Sequence, residues 1–140
     1  MKVKDLMTKS PQTLTTHDSL ARARQLMSER NIRQIPIVDA DNAVVGIITK
    51  KDVYAAGVSS LTQHMGKRQE LLEQTIKVDD VMTKDVLTIN VDELVSTAAA
   101  QIVERRIGAL PVTDNGKLVG ILSSTDILAV AVQLLQDRGF

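Results

Sequence analysis

The 140-residue chain has no cysteine and no tryptophan, and only one tyrosine, one phenylalanine and three prolines. Without cysteine there can be no disulfide, no thiolate metal ligand and no thiol nucleophile. Tyr54 and Phe140 are the only aromatics, too few for a platform that stacks nucleic-acid bases. Neither sign of charge prevails: Lys plus Arg is 17, Asp plus Glu is 17, and the formal net charge is +0. This argues against sequence-blind binding to nucleic acid or to a membrane surface. The two histidines, His17 and His64, are far apart in sequence, so they read as polar residues and no metal site is expected. No long apolar run is present either. The stretch from Ile127 to Leu135 is broken by Gln133 and is about half the length a membrane span needs. Met1-Lys2-Val3-Lys4-Asp5 does not read as a secretory leader. The expectation is a soluble cytoplasmic protein with no nucleic-acid and no membrane partner. What the chain has is aliphatic side chains. Hydrophobic residues make up 44%, enough at this length for a core without covalent staples.

The chain also repeats itself. Val3-Lys-Asp-Leu-Met-Thr-Lys9 returns as Val78-Asp-Asp-Val-Met-Thr-Lys84, 75 residues later (78 − 3 = 75). At that offset Thr13 matches Thr88, Ala23 matches Ala98, Glu29-Arg30 matches Glu104-Arg105, and Ile32, Pro36 and Asp39 match Ile107, Pro111 and Asp114. One residue drops out in the next turn, after which Val45-Gly46-Ile47, Asp52 and Ala55 match Val119-Gly120-Ile121, Asp126 and Ala129. Two copies at this spacing are a duplicated supersecondary unit and not a solenoid, whose periods are shorter.

Both copies give the same coarse reading. A short extended piece (Thr13-Leu14-Thr15, or Leu87-Thr88-Ile89) precedes a helix whose apolar face is Leu20, Ala23 and Met27, or Val95, Ala98 and Ile102. Asp18 and the pair Asp92-Glu93 are expected in the first turns of those helices, where carboxylates suit the dipole. Two β-branched runs follow in each copy, Ile35–Val38 with Val44–Ile48 and Leu110–Thr113 with Leu118–Leu122. Asn115-Gly116 marks a hairpin, because both residues tolerate positive φ. A closing helix begins at Thr49 or Ser123, and Gly139 reads as the end of the last one. The order per copy is strand, helix, strand, strand, helix. The predicted organisation is one unit over 3–58, a connector over 59–77 punctuated by Gly66 and made partly helical by Leu61, Met65 and Leu72, and a second unit over 78–138.

The segment with chemical potential is Gly46-Ile-Ile-Thr-Lys-Lys-Asp52 and its counterpart Gly120-Ile-Leu-Ser-Ser-Thr-Asp126. Glycine allows another backbone to approach, two aliphatics finish a strand, and a hydroxyl then stands at an N-cap with Asp three residues on. One reading is a capping box that satisfies the first N–H groups of a helix. The other is a nucleotide site: free N–H groups and hydroxyls suit phosphate, and a carboxylate suits the two hydroxyls of a ribose.

Met-Thr, then Pro-aliphatic-aliphatic-Asp, then Gly-aliphatic-aliphatic-Ser/Thr-x-x-Asp, all present twice, resembles the CBS (cystathionine β-synthase) domain, and the tandem resembles a CBS pair, or Bateman module. In copy two the run ending at Asp114 has Thr113 in its second aliphatic place. The resemblance covers about Val3–Val58 and Val78–Leu135. It implies an α/β fold in which two β-α-β-β-α units pack sheet to sheet with pseudo-twofold symmetry. It also implies clefts between them for adenosine-containing ligands such as AMP, ADP, ATP, S-adenosylmethionine or NAD, and a homodimer. Carried over by position, Asp52 and Asp126 would hold ribose, while Thr49 and Lys51, and Ser123 and Thr125, would line ribose and phosphates. Thr83 would face the Asp52 cleft and Thr8 the Asp126 cleft, with Thr13 and Thr88 passing along the adenine. Arg33, just before the Pro36 strand, would meet phosphate; copy two departs from the pattern with Gly108-Ala109 in place of Arg33-Gln34.

The resulting expectation is a regulatory module that senses an adenine nucleotide and signals to a protein on another chain. No cofactor is required and there is no catalytic residue, since the sequence has no paired-carboxylate metal site, no Walker glycine loop and no His beside the motif. The alternative is a structural or oligomerisation module with empty clefts, for which the broadly apolar last helix would supply a seam.

Overall fold

The computed structural model describes residues 1–57 and 66–140. In chain order the elements are α1 (Val3–Leu6), β1 (Thr8–Lys9), α2 (Leu20–Arg30), β2 (Gln34–Val38), β3 (Val44–Thr49), α3 (Lys50–Ala56), α4 (Gly66–Thr75), a 3-10 turn (Val78–Asp80), β4 (Ile89–Asn90), α5 (Val95–Arg105), β5 (Ala109–Asp114), β6 (Lys117–Ser123) and α6 (Ser124–Asp137). Leu61, His64 and Met65, assigned above to the connector, lie outside the described residues. Among the described residues no helix is long and apolar enough to cross a membrane.

The chain divides into two compact units that do not follow the repeat. The central unit is Gln12–Val86; the terminal unit joins Met1–Pro11 to Leu87–Phe140. The first Met-Thr segment therefore folds with the second copy, and the second Met-Thr segment with the first.

In the central unit, α2 starts at Ser19, whose Oγ accepts the Arg22 N–H at 3.1 Å, and stops at Asn31, which takes a left-handed φ of 52°. Asparagine tolerates that conformation because its short polar side chain bonds locally. Leu20, Ala23, Leu26 and Met27 form its buried face. β2 and β3 pair antiparallel, Gln34 opposite Thr49 and Ile35 opposite Ile48. Asp39 organises the turn between them, its Oδ1 accepting the N–H groups of Asp41 (2.9 Å) and Ala43 (3.0 Å). Leu14 extends one edge in parallel with Ile37, and Thr83 extends the other antiparallel to Ile47. The core gathers Leu14, Leu20, Ile35, Ile37, Ile48, Val53, Val78 and Met82.

The terminal unit has the same layout with regular strands. Its sheet runs β1-β6-β5-β4, with β1 antiparallel to β6, β6 antiparallel to β5 and β4 parallel to β5. The β5–β6 hairpin turns on Asn115 (φ 50°) and Gly116 (φ 79°), two successive positive-φ residues that match the right-handed twist of the strands. Val3, Ile89, Ala98, Ile102, Leu110, Val112 and Leu122 form the core.

Three acidic residues depart from expectation. Neither long N-terminal helix has an acidic residue in its first turn. Asp18 lies ahead of the α2 cap and folds back on Thr15, its Oδ2 accepting the Thr15 N–H at 2.7 Å. Asp92 and Glu93 precede Leu94, the residue that opens α5, and Asp92 pairs with Lys4 at 3.1 Å instead. For Asp18 a local hydrogen bond to the preceding turn competes with the helix start, and the turn wins.

Candidate functional site

The two motif segments fold identically. Thr49 caps α3: its Oγ1 accepts the Asp52 N–H at 3.1 Å, and Asp52 Oδ2 accepts the Thr49 N–H at 2.9 Å. Ser123 caps α6 in the same way, with distances of 3.2 Å and 2.8 Å to Asp126. The reciprocal capping box read from the sequence is thus present twice. It uses only one oxygen of each carboxylate: among the described residues Oδ1 of Asp52 and of Asp126 has no hydrogen-bond partner. Both aspartates are half-buried.

The swapped Met-Thr segments come to the motifs through the glycines. Thr83 exchanges two backbone bonds with Ile47, 3.0 and 2.9 Å, and Thr8 lies opposite Ile121 in β1–β6. A Cβ at Gly46 would fall on Met82 Sδ and 3.0 Å from the Thr83 carbonyl; one at Gly120 would fall on Met7 Sδ and 2.9 Å from the Thr8 carbonyl. Glycine is required at both places because another strand lies where a side chain would be.

The structure sorts the candidate residues by unit. Thr13, Arg33, Thr49, Lys51, Asp52 and Thr83 belong to the central unit; Thr8, Thr88, Ser123, Thr125 and Asp126 belong to the terminal one. A cavity of about 670 Å³ in the central unit is lined by Arg33, Gln34, Thr49, Lys50, Lys51, Tyr54 and Ala55. It brings Arg33, Thr49 and Lys51 together. Asp52 adjoins it through its bonds to Thr49, whereas Thr13 and Thr83 do not line it. Sequence reasoning missed four of its walls, Gln34, Lys50, Tyr54 and Ala55. The i, i+4 spacing of Lys50 and Tyr54 on α3 could have shown those two, and Lys50 Nζ lies 5.7 Å from the Tyr54 ring centre. In the terminal unit Thr88 precedes β4 and is half-buried, while Thr125 and Thr8 are exposed. Among the described residues no cluster of His, Asp or Glu is arranged to hold a metal ion.

The family model for the CBS domain matches residues 3–59 and again 78–133. A CBS domain-containing protein of Dictyostelium discoideum is 32% identical over 136 residues, covering 96% of this chain and 93% of the relative. A homoserine O-acetyltransferase of Methanococcus vannielii is 32% identical over 126 residues, but the chain spans only 24% of that enzyme's length. Among solved structures, the CBS domain pair of protein MJ0100, crystallised with 5-methylthioadenosine and S-adenosyl-L-methionine, superposes with a TM-score of 0.79 at 30% identity and covers 95% of this chain and 97% of that one. CBSX2 in complex with AMP superposes at 0.77 and 29% identity, covering 94% and 97%. With its motif doubled, its Met-Thr strands folded onto both motif glycines and nearly its whole length matched, the chain belongs to the CBS-domain family as a tandem pair.

Proposed function

We propose that the chain is a regulatory module that binds adenosine-containing ligands at Asp52 and Asp126 and passes their occupancy to a partner protein on another chain. One observation carries the reading: each aspartate spends one oxygen on its helix cap and keeps the other without a partner. That second oxygen is an acceptor that a ribose diol can take while the cap stays intact. Thr49, Lys51 and Arg33 share a cavity beside the first carboxylate and suit a phosphate-bearing ligand. Ser123 and Thr125, with Thr8 opposite Ile121, flank the second, and Thr13 and Thr88 lie next to the strand pieces at Leu14 and Ile89. The two solved CBS pairs described above hold AMP, S-adenosyl-L-methionine and 5-methylthioadenosine, which supports the ligand class. Such a module acts by binding and has no catalytic residue of its own.

The test separates cap from ligand. Asn at position 52 or 126 still accepts the Thr49 or Ser123 N–H through its carbonyl, so Asp52→Asn and Asp126→Asn keep most of the helix cap. Each should lower AMP or ATP affinity at one site by at least about tenfold, the worth of a charge-assisted bond, with the melting temperature nearly unchanged. Calorimetric titration that finds wild-type stoichiometry and affinity in both variants would refute the reading.

A second reading, a structural module acting through self-association, is favoured by α6. None of its fourteen residues is buried, and Leu128, Val132, Leu134 and Leu135 are exposed. The two readings are compatible, and we propose a homodimer that carries the ligand sites.

A further inference from the structure

We infer that the two sites divide their ligands by charge: the Asp52 site takes adenine nucleotides bearing a di- or triphosphate, and the Asp126 site takes adenosine derivatives with little or no net negative charge. This rests on the nucleotide reading above and sharpens it.

The two copies differ in charge at matched backbone positions. Gln34 lies opposite Thr49 in one hairpin as Ala109 lies opposite Ser123 in the other. Just beyond, the Lys50 N–H donates to the Arg33 carbonyl at 2.8 Å and the Ser124 N–H donates to the Gly108 carbonyl at 2.9 Å. The same backbone bond therefore aligns Arg33 with Gly108 and Lys50 with Ser124; one residue on, Lys51 aligns with Thr125. Three cations in the first site correspond to glycine, serine and threonine in the second. Among the described residues, Arg33, Lys50 and Lys51 make no ion pair. They converge on one cavity of about 670 Å³ that has no acidic residue in its lining. Asp52 beside this cavity is matched by Asp126 in the second site, so the three extra cations in one concavity raise the local concentration of multivalent anions there.

The nearest candidate to restore charge in the second site is Arg106. It caps α5 with a left-handed φ of 54°, the place that Asn31 takes after α2. Asn31 does not line the 670 Å³ cavity but the adjoining one of about 370 Å³, which shares Lys50 and Tyr54 with it. By that equivalence Arg106 takes the backbone place of Asn31, two residues before the position that Arg33 fills in the first site and Gly108 in the second.

The test is calorimetric titration of ATP and adenosine into two backgrounds, Asp126→Asn to leave the Asp52 site and Asp52→Asn to leave the other. In the first background ATP should bind at least about tenfold tighter than adenosine, since each screened cation–phosphate contact is worth several-fold. Adding Arg33→Gln, Lys50→Gln and Lys51→Gln should remove that preference while adenosine affinity stays within about twofold, and raising salt should weaken ATP but not adenosine. The Lys50–Arg33 bond is backbone to backbone, so the triple variant retains the local fold. In the second background adenosine should bind at least as well as ATP. Equal affinity for both ligands in the first background, unchanged by the three substitutions, overturns the division by charge while leaving nucleotide binding intact. Absence of binding by either ligand in both backgrounds overturns the nucleotide reading itself, and this inference with it.

Discussion

At the scale of single residues, the glycines that open the two motifs matter more than their lack of a side chain suggests. Gly46 and Gly120 have no positive φ, so conformational freedom does not explain them; the neighbouring strand does. A methyl at Gly46 must displace Met82 or the Thr83 carbonyl, and the latter belongs to a backbone bond with Ile47. Overpacking of this kind costs about 1–3 kcal/mol. Gly46→Ala and Gly120→Ala should each lower the midpoint of denaturant unfolding by a corresponding amount. A midpoint equal to wild type in both would show that the Met-Thr strands are held less closely than the structure places them.

At the scale of elements, the connector helix α4 is fastened to α2 by a bidentate ion pair. Arg24 Nε and Nη2 donate to Glu73 Oε2 and Oε1 at 2.9 and 2.7 Å, and Glu73 is only 2% exposed. The guanidinium also lies 5.2 Å from the centre of the Tyr54 ring on α3, so one side chain of α2 reaches both α3 and α4. Removing one member of a buried pair strands the other, at a cost of about 3 kcal/mol or more; the partial exposure of Arg24 puts this case at the low end. Glu73→Leu should therefore destabilise clearly, and Arg24→Met added to it should recover most of the loss. Additive losses in that double-mutant cycle would mean that the pair carries no coupling.

At the scale of the whole molecule, α6 remains to be covered. Leu128, Val132 and Leu135 recur at i, i+4 and i+7 with exposures of 62%, 51% and 49%, and no charged residue interrupts the helix between Asp126 and Asp137. An uncharged apolar stripe of this length marks an association surface, and a second copy of the same helix offers a matching one. Light scattering should return twice the 15.3 kDa mass of the chain. Leu128→Lys with Val132→Lys should halve that value without loss of helical signal. A wild-type mass of one chain throughout the micromolar range would exclude the homodimer.

The sequence by itself determined what depends on neighbours within a few residues. The Asn115-Gly116 hairpin, the Thr49/Asp52 and Ser123/Asp126 capping boxes and the apolar face of α2 were all legible, because turn chemistry, caps and helical spacing act locally. The duplication was legible as well, since it is a property of the string. The crossing of the Met-Thr segments was implied by the family resemblance and by no local feature of the string; strand pairing across some 40 to 110 residues leaves no mark in local periodicity, and only the tertiary structure shows it. The same holds for the Arg24–Glu73 clasp and for the gathering of Arg33 with Lys50, Lys51 and Tyr54 around one cavity. α6 shows the limit most plainly. A helix that is apolar nearly all round reads the same whether buried or bare, and only packing, which here covers none of its residues fully, distinguishes the two.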